Sequence, residues 1–258
     1  MSDKSKTIIS FEGSSSLAPI ISSIGKDFML SNEKISISVS ASGSGIGVKS
    51  ILDNKANFGM ISRKIKDDEK SKMPNYKEFL VISDALTISV NAKNPIAKIK
   101  DNLDSDTIKK IFSGEYKHWS DIDSSLPQKE ISVIVRDSNS GAYEVFQNSI
   151  MKESKISSNA IQTSSMEELY KKISENENAI GYASYGVYNK NKDKLFAFKV
   201  DGEEASKENI LSGKYKIQRP LMLIKNSDVS EDENTFINYI LSDAGKKVIE
   251  ENGYIPVK

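Results

Sequence analysis

Stretches with the repeat of a strand and stretches with the repeat of a helix take turns along this chain. Residues 7–11 read as a strand, and Leu17, Ile20, Ile21, Ile24 and Phe28 then recur on one helical face. Pro19 suits the first turn of that helix, where a missing N–H costs no internal bond. Ile35, Ile37 and Val39 alternate with serines as a second strand, ahead of a helix carrying Val48, Ile51 and Leu52. Residues 58–62 predict a short buried strand followed by a charged helical stretch. Residues 79–90 predict a long strand with Asp84 near its middle, closed by the turn signal Asn94-Pro95. A helix over 106–113 stops at Gly114, and Ile131, Val133 and Val135 mark a strand that feeds a helix with Ala142, Phe146 and Ile150 inward.

In the second half, Ser165-x-x-Glu168 predicts a capping box for a helix with Met166, Leu169, Tyr170 and Ile173 inward. Strands are expected over 178–183, 195–200 and 217–224. Arg219-Pro220 inside the last of these marks it as an edge or crossing strand. Helices over 234–242 and 244–251 close the chain, with Gly253 at the expected C-terminal cap. This alternation implies α/β layers with mostly parallel sheets.

Three of the strand-to-helix turns are rich in serine: Gly13-Ser14-Ser15-Ser16, Ser42-Gly43-Ser44-Gly45-Ile46-Gly47, and Arg136-Asp137-Ser138-Asn139-Ser140-Gly141. The start of a helix carries unpaired N–H groups and partial positive charge, so each turn is a potential anion seat. Ser140 can add a hydroxyl donor there and Arg136 a two-pronged cationic one. The plainer readings stay open for each turn alone, a capped helix whose Arg136 pairs with Asp137 and an ordinary glycine turn at 42–47. Nucleotide motifs fail at the second turn, because Val48 stands where both the P-loop and the dinucleotide fingerprint need glycine. In α/β sheets ligands sit where strands end and helices begin. Three such turns therefore suit one shared pocket for a small, multiply charged, oxygen-rich anion.

Composition narrows the chemistry further. The 258 residues suffice for one large or two medium domains, and the 36 basic against 36 acidic side chains create no net field to attract nucleic acid. Arginine occurs only as Arg63, Arg136 and Arg219. Cysteine is absent, which excludes disulfides and thiolate metal sites. The single histidine, His118, has no carboxylate or nucleophile motif beside it and reads as a surface or packing residue, with Trp119 packing its loop onto the preceding helix. No metal site and no cofactor is expected. No apolar run reaches the length of a membrane span. Met1-Ser2-Asp3-Lys4 reads as a trimmed mature terminus or an added start.

The order of Gly13-Ser14-Ser15-Ser16 with Pro19, Gly43-Ser44-Gly45, Asn57-Phe58-Gly59 and Arg136 with Ser140-Gly141 resembles the phosphate-binding proteins of Pst-type ABC importers. Ile111-Phe112-Ser113-Gly114 with Trp119, Ala179-Ile180-Gly181-Tyr182, and Ile240-Leu241-Ser242-Asp243 with Gly253-Tyr254-Ile255-Pro256-Val257 add to it. The similarity runs from residue 7 to the end, carried by order and spacing rather than by any single motif.

That resemblance implies an α/β, two-lobed periplasmic-binding-protein-like fold of type II, its lobes joined by two crossing strands near 82–90 and 217–224. Lobe I would hold residues 7–86 plus 221–258 and lobe II residues 87–220, with phosphate bound in the cleft and the lobes closing over it. By position the phosphate-binding residues would be Ser15, Ser16, Ser44, Ser62, Arg136, Ser140, Gly141 and Ala142. Ala142 stands at a usual threonine and can offer only its backbone N–H. Ser62 stands at a usual aspartate, and Ser138 at a second acid, with Asp137 beside it. A serine hydroxyl both donates and accepts, so Ser62 would discriminate between anions less sharply than a carboxylate. Arg63 would either add charge at the cleft or be solvent-exposed or ion-paired.

The function implied is a non-enzymatic, extracytoplasmic, monomeric solute-binding protein that hands inorganic phosphate to ABC permease subunits in the membrane. The protein would be periplasmic or a membrane-anchored lipoprotein, its mature terminus in the second case held through a cysteine, with the signal segment absent from this sequence. The rivals are the same fold binding sulfate, molybdate or a phosphonate, a phosphatase using a pocket serine, and an adhesive surface protein. A serine nucleophile needs a neighbouring base or metal, and no motif supplies one.

Overall fold

The computed structural model describes residues 6–258; Met1-Ser2-Asp3-Lys4 lies outside them. In chain order the elements are β1 (Thr7–Gly13), α1 (Ala18–Met29), β2 (Ile35–Ala41), α2 (Ser44–Leu52), β3 (Phe58–Ile61), α3 (Asp67–Lys70), β4 (Lys77–Asn91), β5 (Asn102–Leu103), α4 (Ser105–Ser113), α5 (Trp119–Ile122), β6 (Ser132–Arg136) and α6 (Gly141–Phe146). There follow β7 (Ile161–Thr163), α7 (Met166–Glu175), β8 (Ala179–Ser184), α8 (Tyr185–Lys190), β9 (Leu195–Ala197), β10 (Lys199–Val200), α9 (Lys207–Leu211), β11 (Gln218–Lys225), α10 (Glu231–Ile240), α11 (Asp243–Glu251) and β12 (Ile255–Pro256). The three serine-rich turns fall between β1 and α1, β2 and α2, and β6 and α6.

The chain divides into two units. Unit 1 comprises the stretch up to Ser83, Asn139–Gly141 and Pro220–Lys258; unit 2 comprises Asp84–Ser138 and Ala142–Arg219. Two of the boundaries thus fall within β4 and within β11, and the other two flank Asn139–Gly141.

In unit 1, β2, β1 and β3 form a parallel sheet, with Phe11 opposite Val39 on one side and Phe58 on the other. β11 joins β3 antiparallel, and β12 pairs antiparallel with Ile82 and Ser83 of β4. One core holds Ile9, Phe11, Ile24, Phe28 and Phe236. Phe11 stacks on Phe58 at 5.2 Å and meets the edge of Phe236 at 5.5 Å, arrangements that suit the aromatic quadrupole. A second cluster packs Val48 and Ile51 of α2 with Ile61, Met222 and Ile224. Pro220 is tolerated because the ladder with β3 begins at Met222, two residues on, so its missing N–H breaks no bond to β3.

In unit 2, β7, β6 and β8 are parallel, while β4 runs antiparallel to both β8 and β9. The sheets are therefore parallel at their centres but mixed overall. The single strand expected over 195–200 is two: β9 pairs with β4, and β10 pairs with β5. Phe198 lies between them, buried, its N–H bonded to the Ile88 carbonyl at 2.9 Å.

Two helix starts differ from the sequence expectation. Ser165 does cap α7, but Glu168 turns its carboxylate to the Ser164 N–H and hydroxyl instead of closing the box on Ser165. The helix expected from 234 begins at Glu231, because Ser230 and Glu233 form a reciprocal capping box.

A fully buried ion pair ties β4 to β11 on the unit-2 side of the boundary. Arg219 Nε donates to Asp84 Oδ2 at 2.9 Å, and both side chains are 0% exposed. Burial pushes the Asp84 carboxyl up, and the Arg219 charge opposes that shift. Arg219→Met should cost about 3–5 kcal/mol by stranding a buried carboxylate. The double variant Asp84→Leu/Arg219→Met should recover most of the loss, both read from urea unfolding midpoints at constant m.

Candidate functional site

The first two turns interlock in unit 1. Gly13 has φ +136°, and the Met60 carbonyl occupies the space where a Cβ would stand, so only glycine lets β1 approach β3 so closely. The Ser14 N–H donates to that carbonyl at 2.8 Å, and the Ser42 and Gly43 N–H groups both donate to the Gly13 carbonyl at 2.8 Å. Glu12 accepts the Ser42 hydroxyl. Ser14 caps the turn that leads into α1: its Oγ accepts the Ser16 and Leu17 N–H groups at 3.2 Å each, and α1 itself starts after Leu17. Ser15, half-buried, and Ser16, buried, lie between that cap and the helix.

Ser44, the first residue of α2, is 0% exposed. Its Oγ accepts the Ser62 N–H at 3.0 Å and stands 3.1 Å from Ser62 Oγ, so the start of α2 and the end of β3 are tied through one hydroxyl. The Gly45 N–H donates to the Asn139 carbonyl at 3.1 Å. A Cβ on Gly141 would lie 2.5 Å from Ser62 Oγ and 2.6 Å from Ser44 Oγ. Glycine is therefore required where this segment meets the two serines. Unit 1 thus brings together Ser44, Ser62 and Gly141, with buried Ser140 adjoining. Ser15 and Ser16 sit at the neighbouring helix start of the same unit, whereas Arg136 and Ala142 belong to unit 2.

Arg136 ends β6, and its surroundings in unit 2 are built to hold it. The β6–β8 ladder stops at Ile134. The Arg136 N–H donates instead to the Tyr182 hydroxyl at 2.9 Å. Tyr182 is buried and stacked on Phe146 at 4.5 Å, and burial pushes its hydroxyl pKa up, which keeps it neutral. Arg136 Nε donates to the Thr163 carbonyl at 3.3 Å and Nη2 to the Ser164 carbonyl at 3.2 Å, with the Asp137 carboxylate 3.5 Å away. Burial pulls the guanidinium pKa down from its ordinary value, and Asp137 works against that shift. Ala142 is 0% exposed near the start of α6.

Arg63 resolves to the ion-paired alternative, and it is buried. Its Nη1 and Nη2 donate to Glu69 Oε2 and Oε1 at 2.8 and 2.7 Å, closing the loop after β3 on itself next to Ser62. Burial alone would raise the Glu69 carboxyl, but the Arg63 bonds and the Lys66 N–H hold it below its ordinary value. Trp119 is buried as expected, and the His118 N–H is bonded to Asp121. Among the described residues no group of three or more His, Asp or Glu side chains is placed to hold a metal ion. Sequence reasoning missed Ser14 as the cap, the Glu12–Ser42 bond, Asn139 as a partner of Gly45, and Tyr182. The last three join residues far apart in the chain and leave no local signal.

A family model described as the PBP superfamily domain matches residues 2–244. The phosphate-binding protein PstS of Staphylococcus haemolyticus is 33% identical over 259 residues, covering 95% of this chain and 79% of that protein. PstS of Staphylococcus aureus strain MRSA252 is 32% identical over 256 residues, with 95% and 76% covered. Among solved structures, a protein assigned to phosphate ABC transport in Clostridium perfringens, with phosphate bound, superposes with a TM-score of 0.87 at 28% identity. It covers 98% of this chain and 100% of its own. PstS of Borrelia burgdorferi gives 0.65 at 25% identity, with 98% and 100% covered.

The Arg63–Glu69 pair generates a pH dependence. The Glu69 carboxyl titrates lower in the folded chain than in the unfolded one. Its stabilisation is therefore complete above the unfolded value and lost as pH falls through the folded one. In thermal melts from neutral pH down to about 3, Glu69→Gln should flatten part of the acid limb of the Tm profile. An unchanged limb would show that the pair contributes nothing to acid sensitivity.

Proposed function

The chain belongs to the PstS family of phosphate-binding proteins, and from that premise we propose that it captures inorganic phosphate and delivers it to the membrane subunits of an ABC importer. The observation that carries this reading is the convergence of Ser44 Oγ, Ser62 Oγ and the Gly141 backbone at two helix starts. An inorganic oxyanion loses a large hydration energy on burial, and only several preorganised, charge-assisted donors offset it. Ser15, Ser16, Ser44, Ser62 and Ser140 supply hydroxyl or amide groups, and Gly141 and Ala142 supply backbone N–H groups. Arg136 precedes Ser140 by four positions in the chain, and it supplies the cation. Its bonds to the Thr163 and Ser164 carbonyls support that role, because a side chain already fixed loses little entropy on binding.

The protein works without catalysis. It acts as a monomer on the outer side of the membrane and engages the permease there.

Phosphate at about a hundredfold over Kd should stabilise the folded chain by about 2.7 kcal/mol through mass action. That appears as a rise in Tm with phosphate concentration at constant ionic strength, and a Tm indifferent to phosphate would contradict the assignment. Arg136→Met should weaken phosphate binding about a hundredfold in calorimetric titration, since two charge-assisted bonds are lost.

A further inference from the structure

We infer that Glu168 is a positioning residue for Arg136, acting on the guanidinium through the peptide that joins Thr163 to Ser164; its consequence for binding rests on the phosphate reading above. The spacing Ser165-x-x-Glu168 predicts a carboxylate that closes on the Ser165 N–H. Instead Glu168 Oε2 reaches one residue further back, where it accepts the Ser164 N–H at 2.8 Å and the Ser164 hydroxyl at 3.0 Å. Ser165 still caps α7, its Oγ accepting the Glu168 N–H at 3.1 Å. The cap survives, and the displaced carboxylate acts on the segment before the helix.

That segment is where Arg136 is held. The peptide linking 163 to 164 gives its N–H to the Glu168 carboxylate. Its carbonyl accepts Arg136 Nε at 3.3 Å and the Asp137 N–H at 3.1 Å. The next carbonyl, that of Ser164, accepts Arg136 Nη2 at 3.2 Å. Both carbonyls therefore flank the residue that Glu168 clamps. Carboxylate, peptide and guanidinium stand in series, with negative charge at the N–H end of the peptide dipole and positive charge at the carbonyl end. Each bond polarises the peptide in the direction that strengthens the other, and both are charge-assisted.

The arrangement couples a surface anion to an interior cation. Arg136 and Thr163 are each 2% exposed, whereas the Glu168 side chain is 39% exposed and keeps its hydration. The Ser164 N–H and hydroxyl hold the Glu168 carboxyl below its ordinary value, so it is ionised throughout the neutral range. Its other oxygen stands 4.0 Å from Lys172 Nζ. Thr163 is anchored to β6 by its register opposite Arg136 and by its hydroxyl, which donates to the Val135 carbonyl at 3.0 Å. Ser164 is exposed and lies past the end of β7, and Glu168 is what anchors it.

Phosphate titration calorimetry on the intact chain, with a thermal melt of each variant, tests the role. Glu168→Ala should weaken phosphate about five- to tenfold, and Glu168→Gln, whose amide oxygen can still accept the Ser164 N–H, about two- to threefold. Ser165→Ala removes the α7 cap but not the Glu168–Ser164 bonds, so it should lower Tm and leave the phosphate Kd within about twofold. Because Glu168 acts through Arg136, the double variant Arg136→Met/Glu168→Ala should bind phosphate within about twofold of Arg136→Met alone. Independently of any ligand, the Arg136 Nε–H, followed by NMR, should exchange with solvent about tenfold faster in Glu168→Ala than in the wild type, and no faster in Ser165→Ala. A Kd unmoved by Glu168→Ala, losses that multiply in the double variant, or equal losses in Glu168→Ala and Ser165→Ala would overturn the positioning role. A wild-type chain that does not bind phosphate would overturn the phosphate reading. The exchange measurement then decides the positioning role alone, and an Nε–H that Glu168→Ala leaves unchanged overturns it.

Discussion

A helix that starts at the end of a buried strand has N–H groups to satisfy before its internal bonds begin, and this constraint organises the molecule. In the turn between β1 and α1 the Ser14 hydroxyl takes the Ser16 and Leu17 N–H groups. At β2–α2 the Gly13 carbonyl takes the Ser42 and Gly43 N–H groups, and Asn139 takes that of Gly45. The same donors carry the partial positive charge that favours anions. The serines and glycines of these turns are therefore constrained by the packing of the strand ends against the helix starts.

The three arginines show how charge is admitted to a buried setting. Each lies 2–4% exposed and each has a carboxylate neighbour, Glu69, Asp137 or Asp84. Arg63 closes a loop and Arg219 joins two strands within unit 2, and both work as structural pairs. Arg136 differs in position, since it ends a strand directly before the serine turn and is steadied by two backbone carbonyls. Holding a cation in place ahead of the ligand is what makes a buried oxyanion site affordable in free energy.

Much of the architecture is legible in local pattern, because strand and helix periods and turn residues act over a few positions. The three serine turns, the helix stripe from Leu17 to Phe28 and the burial of Trp119 are of this kind. Which serine does what is not local. Ser14, Ser15 and Ser16 are chemically alike, and only the geometry of the turn selects Ser14 as the cap. Ser44 meets Ser62 across eighteen positions and Glu12 meets Ser42 across thirty, through sheet register that no short window reveals. The break at Phe198 has the same origin, because β9 and β10 answer to different partner strands. Ser230-x-x-Glu233 carries the spacing of a capping box and its first-turn acids favour a helix start, so the beginning at Glu231 rests on local signals that the expectation of a start at 234 left unused.

The central claim is that hydroxyls and backbone amides from separate turns meet at one oxyanion. Its most direct test is a crystal grown with arsenate, the heavier analogue of phosphate, and mapped by arsenic anomalous scattering. The expected result is a single strong peak within hydrogen-bond reach of Ser44 Oγ and the Gly141 N–H. A peak elsewhere, for instance in the cavity of about 470 Å³ at the amino ends of β6 to β8 lined by Tyr116, Asn159 and Asn178, with none at the serines, would contradict the account.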